Sequence, residues 1–135
     1  IIAQGEKTTY TGFPVLRALL MHHPEDNMCW HLDNQYYFGD DFLVAPMMNS
    51  ENKRDVYLPK GNWIHFFTGE AFEGEKWLRN FEATMEDMPV WVKEGAEIPF
   101  YPEAVNCTDD MDFKKTSIIK IDASFKGIWK LLHFI

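Results

Sequence analysis

The sequence predicts a mainly β fold: an antiparallel β-sandwich preceded by a covered strand and a short helical segment. Beyond residue 53 it contains short runs of β-favouring residues, at 55–59, 63–68, 71–81 and 88–93. Glycine-bearing turns separate these runs, at 59–62, 68–70, 73–75 and 94–96. Short strands between regularly spaced turns are typical of a sandwich or meander and not of helices alternating with strands.

The apolar run at residues 15–21 is predicted to be the covered strand. The run reads V-L-R-A-L-L-M, and its periodicity alone fits either a buried strand or one face of a helix. Pro14 before it and Pro24 after it favour a strand, because proline does not suit a helix interior. A strand that is apolar on both faces lies in a parallel or otherwise covered sheet. Residues 1–11 show too little pattern to indicate more than an exposed helix end.

The segment at residues 28–46 connects a polar, aromatic region to a second strand. Residues 28–38 mix aromatic residues with Asp33 and Gln35, and Gly39 fits the left-handed position that ends a short helical turn. Residues 42–46, F-L-V-A-P, predict a short buried strand that ends at Pro46.

The residues from 103 onward predict a separate unit. Residues 106–115 are acidic and loop-like, which indicates a boundary, and residues 117–125 alternate as a strand does, with Ile119, Ile121 and Phe125 on one face. The tail at 128–135 is strongly apolar and requires a partner surface. The chain also begins without Met, so we expect it to be a piece of a longer protein.

Composition restricts the classes of function. The net charge is −8, with 46% hydrophobic and 16% aromatic residues, so binding to nucleic acid or to an anionic membrane is disfavoured. No apolar run approaches the roughly 20 residues that a membrane helix needs. Cys29 and Cys107 could pair, but such sparse cysteine usage favours reduced thiols and a cytoplasmic protein.

Five sequence blocks follow one another in a fixed order: G-F-P-V-L-R-A-L-L (12–20), D-N-Q-Y-Y-F-G-D-D-F-L-V-A-P (33–46), V-Y-L-P-K-G-N-W (56–63), F-F-T-G-E (66–70) and M-P-V-W-V-K-E-G-A-E-I-P (88–99). In this order they resemble glycoside hydrolase family 31, which holds α-glucosidases and α-xylosidases. The sequence of residues 68–77, T-G-E-A-F-E-G-E-K-W, is most similar to that of the α-xylosidase branch. The resemblance covers roughly residues 12–102, most of the chain.

The resemblance implies a position within a larger enzyme. Residues 1–40 would end the catalytic (β/α)8 barrel, with its last strand at 15–21 and its closing helical segment at 28–39. Residues 41–102 would form the proximal C-terminal β-sandwich, and residues 103–135 would begin a distal β domain.

The resemblance also implies the parent's chemistry, and its catalytic motifs are missing here. Such enzymes are retaining: an Asp nucleophile and an Asp acid/base lie about 5–5.5 Å apart, and no cofactor is used. Neither motif occurs in this chain, so we assign no catalytic residue. We expect the parent to hydrolyse terminal α-linked glucose or xylose, with the α-linked oligosaccharide bound in its barrel and the remainder of the parent chain as the segment's partner. Asp40 and Asp41 do not replace the missing pair, because neighbours on an extended chain point to opposite faces.

His22 and His23 are the candidate substrate-binding residues. Together with Cys29 and His31 they resemble a metal site, but the spacing is poor for zinc, and no metal is predicted. At the end of a barrel strand these histidines would border the sugar pocket, although simple packing is the favoured alternative. Members of the family often have Glu-Phe here, so His-His is a departure.

Four residues are predicted to stabilise the junction between barrel and sandwich: Arg17, Asp33, Gln35 and Gly39. A buried Arg17 requires a carboxylate, expected elsewhere in the barrel, and Asp33 and Gln35 can bind backbone groups.

Trp63, Trp77 and Trp91 are expected in the sandwich core. If they were instead exposed and coplanar, they would favour the alternative function, a free-standing non-catalytic carbohydrate-binding module. A truncated gene product without a function of its own is also compatible with the sequence.

Overall fold

The computed structural model describes residues 1–84, 88–103 and 105–128. A helix, α1 (Ile2–Thr11), ends at Gly12, whose φ of 75° is the left-handed conformation that glycine adopts readily. In the described part of the chain four short 3-10 turns follow α1, at Leu19–Met21, Asn27–Trp30, Thr108–Asp110 and Phe113–Lys115. Within the described residues there are ten strands: β1 (Leu16–Arg17), β2 (Tyr36–Phe38), β3 (Phe42–Val44), β4 (Lys53–Leu58), β5 (Asn62–His65), β6 (Ala71–Glu73), β7 (Lys76–Glu82), β8 (Val90–Lys93), β9 (Glu97–Phe100) and β10 (Ser117–Lys120).

The strands form one large sheet and two two-stranded sheets, and all their pairings are antiparallel. The large sheet has six strands in the order β1-β2-β3-β8-β5-β6, while β4 pairs with β7 and β9 with β10. The predicted mainly β, antiparallel sandwich is thereby confirmed. The barrel that would precede it stays a prediction.

One face of the six-stranded sheet packs on the β4–β7 pair. Tyr37, Leu43 and Trp91 are direct neighbours on β2, β3 and β8, so their side chains share this face. They are fully buried, together with Trp63 from β5 and with Val56 and Leu58 from β4. Trp63 and Trp91 therefore lie in the core, as the alternation predicted, and the partly buried Trp77 packs against the same cluster.

The opposite face of the large sheet is covered by the β9–β10 pair and the residues that follow it. Phe42, Val92 and Ile64 are paired across β3, β8 and β5, and Ile121 and Phe125 pack on them. Ile121 also exchanges backbone hydrogen bonds with this region, accepting from Gly95 N (2.6 Å) and donating to Ala96 O (2.8 Å). The central sheet is thus buried on both faces, which explains its nearly continuous apolar strands.

Two predicted elements were wrong in part. Of the strand predicted at 15–21 only β1 forms, because the chain turns into a 3-10 helix at Leu19–Met21. The helical segment implied at 28–39 is a 3-10 turn at Asn27–Trp30 followed by strand β2. Gly39 does adopt a positive φ of 67°, but it opens the tight turn between β2 and β3 and does not end a helix. The aromatic run Y-Y-F pairs with F-L-V in this hairpin, which suits β-favouring residues.

The predicted domain divisions at residues 40 and 103 stay predictions for the whole protein. The six-stranded sheet itself crosses residue 40, since β2 and β3 pair directly. Ile121 and Phe125 from the expected distal unit pack on the same sheet. The apolar tail predicted at 128–135 lies outside the described residues from position 129 onward.

Candidate functional site

A pocket of about 320 Å³ lies beside β1, the edge strand of the large sheet. Its walls come from α1, from the segment between α1 and β1, from the 3-10 turn after β1 and from the β2–β3 turn. The lining residues are Lys7, Thr11, Phe13, Arg17, Met21, His22 and Asp40.

Arg17 is the centre of the polar cluster at this pocket. The side chain is only 3% exposed, yet its guanidinium donates to Asp40 Oδ1 (2.7 Å), Pro14 O (2.6 Å) and Gln4 Oε1 (3.3 Å). The carboxylate that the buried Arg17 requires is that of Asp40, the last of the residues 1–40 that the resemblance assigns to the barrel's end. A carboxylate partner together with further hydrogen bonds is what makes a buried arginine tolerable.

Asp40 is held as a carboxylate by donors from two elements. Lys7 Nζ (2.8 Å) and Gln4 Nε2 (3.0 Å) of α1 both donate to Oδ2, while Arg17 occupies Oδ1. Burial alone would raise the pKa of Asp40, but the hydrogen bonds from Lys7, Gln4 and Arg17 outweigh it and hold the pKa well below its usual range. The neighbouring Asp41 is shifted the other way, because burial raises its pKa.

His22 and His23 follow the 3-10 turn and do not end a strand. The backbone N–H groups of both histidines donate to Leu19 O at 3.0 Å, and both rings lie against Tyr37, with centroids 4.2 and 5.8 Å away. His23 is buried with Nε2 2.7 Å from the Tyr37 hydroxyl. Only His22 lines the pocket. His22 and His23 thus contact the same ring, whereas adjacent residues of a strand would point to opposite faces.

Both histidines are disposed to remain neutral. Burial, followed by the charges of Lys93 and Arg17, lowers the pKa of His22 to about 4. Burial and Lys93 also lower the pKa of His23, although Glu25 and Asp26 oppose that change. Lys93 reaches this group from β8, with its Nζ 5.1 Å from the centre of the Tyr37 ring.

The remaining predicted junction residues are not among those that line the pocket. Gln35 is buried, and its amide exchanges two hydrogen bonds of 2.8 Å with the backbone of Tyr57 on β4. Asp33 is exposed in the loop before β2. Gly39 approaches the side chain of Gln4, since an added Cβ would lie 3.1 Å from Gln4 Cδ.

The sequence did not reveal the structural roles of two residues, Tyr37 and Arg54. Tyr37 appeared as one of several aromatic residues, although it is the shared neighbour of both histidines. Arg54 binds the carbonyl oxygens of Asn34 (3.0 Å) and Pro46 (2.5 Å) and so connects β4 to the loops around the large sheet. Contacts between residues so distant in sequence leave no local periodicity that would reveal them.

Among the described residues, no group of three or more His, Cys, Asp and Glu side chains is arranged to hold a metal ion. In the same part of the chain no helix is both long and apolar enough to cross a membrane.

The fold defines the class as a β-sandwich domain with a polar pocket beside one edge strand. Comparison with known sequences identifies the family, because the profile described as "Glycosyl hydrolase family 31 C-terminal domain" matches residues 12–98. The chain belongs to glycosyl hydrolase family 31, within its C-terminal domain. The resemblance inferred from the five sequence blocks is therefore confirmed.

Individual relatives show how small a part of each protein is matched. An isomaltosyltransferase of Sporosarcina globispora is 36% identical over 73% of this chain and 9% of its own length. An α-xylosidase of Saccharolobus solfataricus is 33% identical over 76% of this chain and 14% of its own length. The chain thus spans about a tenth of the relatives that it matches.

Solved structures agree with the sequence comparison. A dextranase of Flavobacterium johnsoniae superposes with a TM-score of 0.69 at 36% identity, covering 73% of this chain and 12% of that one. An α-xylosidase of Xanthomonas citri gives 0.67 at 33% identity, covering 73% and 11%. Proteins named for different sugars match at similar identity, so this segment does not distinguish the α-xylosidase branch.

Proposed function

We propose that this chain is the supporting β-sandwich of a retaining α-glycosidase that hydrolyses terminal α-linked glucose or xylose. The observation that carries the proposal is the match of residues 12–98 to a C-terminal domain, with the matched segment covering only 9% of one relative and 14% of another. The parent's oligosaccharide would bind in its barrel, and the rest of the parent chain would be the partner of this segment. No cofactor is required for this chemistry.

The state of the local carboxylates supports a non-catalytic role. A retaining glycosidase needs one carboxylate free to attack and another free to exchange a proton. Asp40 is already bound by Arg17, Lys7 and Gln4, so neither of its oxygens is available for such a step. We therefore assign both catalytic residues to the parent barrel.

Burial of the tryptophans supports the same role over that of a free-standing carbohydrate-binding module. Trp63 and Trp91 are 0% exposed and cannot stack on a sugar at the surface. If this segment contacts the parent's sugar at all, we propose that it does so through His22. His22 lines the pocket, whereas His23 is buried against Tyr37.

Exposed apolar side chains near the pocket support docking against the rest of the parent. Tyr10 is 89% exposed, Leu16 57% and Phe13 42%. They lie on or beside α1 and β1, the elements that the sequence assigns to the end of the barrel. Large apolar side chains grouped in this way favour a covered surface.

Assays of the isolated chain and of the full-length parent test the proposal. The isolated chain should show no turnover of aryl α-glucoside or aryl α-xyloside above a buffer control, while the parent should hydrolyse one of them. Turnover by the isolated chain would overturn the supporting role. Titration with α-glucans should leave its tryptophan fluorescence unchanged, and a saturable shift would favour the binding-module alternative.

A variant of the parent enzyme separates support from substrate contact. Arg17→Met should lower the parent's melting temperature, because Arg17 is buried among Pro14, Gln4 and Asp40. KM should stay unchanged if the parent's sugar does not contact His22, whose ring nitrogen lies 3.2 Å from Arg17. An increase in KM without loss of stability would instead place this cluster in the sugar site.

A further inference from the structure

The contact between Arg17 and His22 determines which nitrogen of the His22 ring carries the proton. Arg17 NH1 lies 3.2 Å from His22 Nε2. A guanidinium has only donors, so Nε2 must accept and is unprotonated. His22 is therefore neutral in this arrangement, with its proton on Nδ1.

The same Arg17 holds together the polar cluster that attaches α1 to the sheet. Helix α1 has no buried residue, so apolar packing of its own side chains does little to fix it. Gln4 and Lys7 of α1 both donate to Asp40, and Gln4 also accepts from Arg17. Movement of Arg17 would thus disturb the attachment of the whole helix.

Positive charges predominate around His22. Lys93 on β8, Arg17 on β1 and the adjacent His23 all lower the pKa of the His22 ring. The negative charge of Asp40 opposes them. Lys7 of α1 lines the same pocket, and the ring that stacks on His22, that of Tyr37, is uncharged. The carboxylates of Asp41 and Glu25 also face this group, but they lie beside Lys93 and His23. A proton on His22 would therefore place a second cation directly against Arg17.

We propose that His22 is an acid-sensitive latch: protonation of its Nε2 ends the hydrogen bond from Arg17, sets two cations side by side, and releases α1 from the sheet. The proton comes from solvent, and no bond other than the N–H is made. This inference is independent of the proposed glycosidase function, because it concerns only contacts within the chain.

Among Gln4, Lys7, Arg17, Asp40 and His22, the side chain that takes up a proton first as the pH falls is that of His22. The pKa of Asp40 is held well below its usual range, so Asp40 keeps its charge while His22 titrates. A released ring binds the proton with its ordinary pKa near 6.5, and the latched ring with a pKa of about 4. The stabilisation from neutral His22 is complete above pH 6.5 and is lost as the pH falls towards 4.

Hydrogen exchange of α1 tests the latch. The 135-residue chain would be labelled at pH 7 and pH 4.5, with labelling times scaled for the intrinsic pH dependence, and the peptides covering Ile2–Thr11 analysed by mass spectrometry. The scaled exchange rate should rise at least about tenfold at pH 4.5, as the two pKa values require. Unchanged exchange would overturn the proposal.

Two matched variants identify the group that is responsible. His22→Gln keeps an acceptor for Arg17 but cannot take up a proton in this range, so its α1 exchange should be the same at both pH values. His31→Gln makes the same change at an exposed position and should retain the rise. A rise of equal size in His22→Gln would show that another group controls α1.

Nitrogen-15 NMR of the imidazole ring gives a second, direct measurement. His22 should show the shift of an unprotonated Nε2 at pH 7 and titrate near pH 4. A proton on Nε2 at neutral pH, or titration near 6.5, would contradict the latch even if the variants failed to fold.

Discussion

The side-chain amide of Gln35 forms two reciprocal hydrogen bonds with the backbone of Tyr57, each 2.8 Å long. The amide imitates a neighbouring strand: its nitrogen donates to Tyr57 O and its oxygen accepts from Tyr57 N. In this way the segment before β2, on the large sheet, is connected to β4 in the opposing layer. Gln35 is only 3% exposed, so water cannot replace either bond.

Gln35→Glu should therefore destabilise the chain with almost no change of shape. The substitution removes the donor and places a carboxylate oxygen against Tyr57 O, which should cost about 1–3 kcal/mol of unfolding free energy. Urea unfolding followed by circular dichroism measures the loss. Asn34→Asp makes the same amide-to-acid change at an exposed neighbour. Its unfolding free energy should stay within about 0.5 kcal/mol of that of the unsubstituted chain. Equal effects at both positions would remove the special role of Gln35.

The pair Arg17 and Asp40 should behave as a buried interaction. Arg17→Met is expected to cost about 2–3 kcal/mol, less than a fully buried pair, because 30% of the Asp40 side chain remains exposed. The double-mutant cycle with Asp40→Ala should give a coupling energy of at least about 1 kcal/mol. Lys53→Met breaks an exposed pair with Glu82 and should cost less than about 1 kcal/mol. Additive single mutants would contradict direct coupling of Arg17 to Asp40.

Trp63 and Trp91 provide a matched comparison in the core. Both side chains are 0% exposed, but Trp63 Nε1 donates to Pro59 O at 2.8 Å, whereas Trp91 Nε1 is buried without a hydrogen-bond partner. Trp63→Phe should consequently cost about 1 kcal/mol more than Trp91→Phe, since only the first leaves a buried carbonyl without its donor. Thermal unfolding of the two variants gives the difference, and the reverse order would be inconsistent with the hydrogen-bond argument.

Alanine substitutions at Gly69 and Gly12 distinguish the cost of steric crowding from the cost of a left-handed backbone conformation. The φ angles of the two glycines are alike, 77° and 75°, yet a Cβ on Gly69 would lie 2.5 Å from the backbone carbon of Lys126, while Gly12 has nothing within 4 Å. Gly12→Ala should cost about 1 kcal/mol for the left-handed conformation alone. Gly69→Ala should cost clearly more, because the segment at 126–127 must move. Melting temperatures of the two variants test this, and equal losses would show that the close approach is not maintained in solution.

Several features of the fold could be predicted from residues close together in the chain. The glycine-bearing turns at 59–62, 68–70 and 94–96 lie between strands as expected, and F-L-V at 42–44 is a buried strand. The prediction was wrong at Leu19–Met21, because an apolar run with one charge fits several local conformations and the 3-10 turn is stabilised by packing against Cys29 and Tyr37. Local pattern is weakest where one short run satisfies two periodicities.

The sequence by itself determined the strand and turn pattern, the antiparallel class and the family, since each depends on residue types at short, regular spacing. Only the tertiary structure decided that Asp40 pairs with Arg17 and that Gln35 binds the backbone of Tyr57. It also decided that Tyr37 contacts both His22 and His23. These pairs lie 14 to 23 residues apart. Their meeting depends on how the 3-10 turns and the sheet layers pack, which no local periodicity encodes.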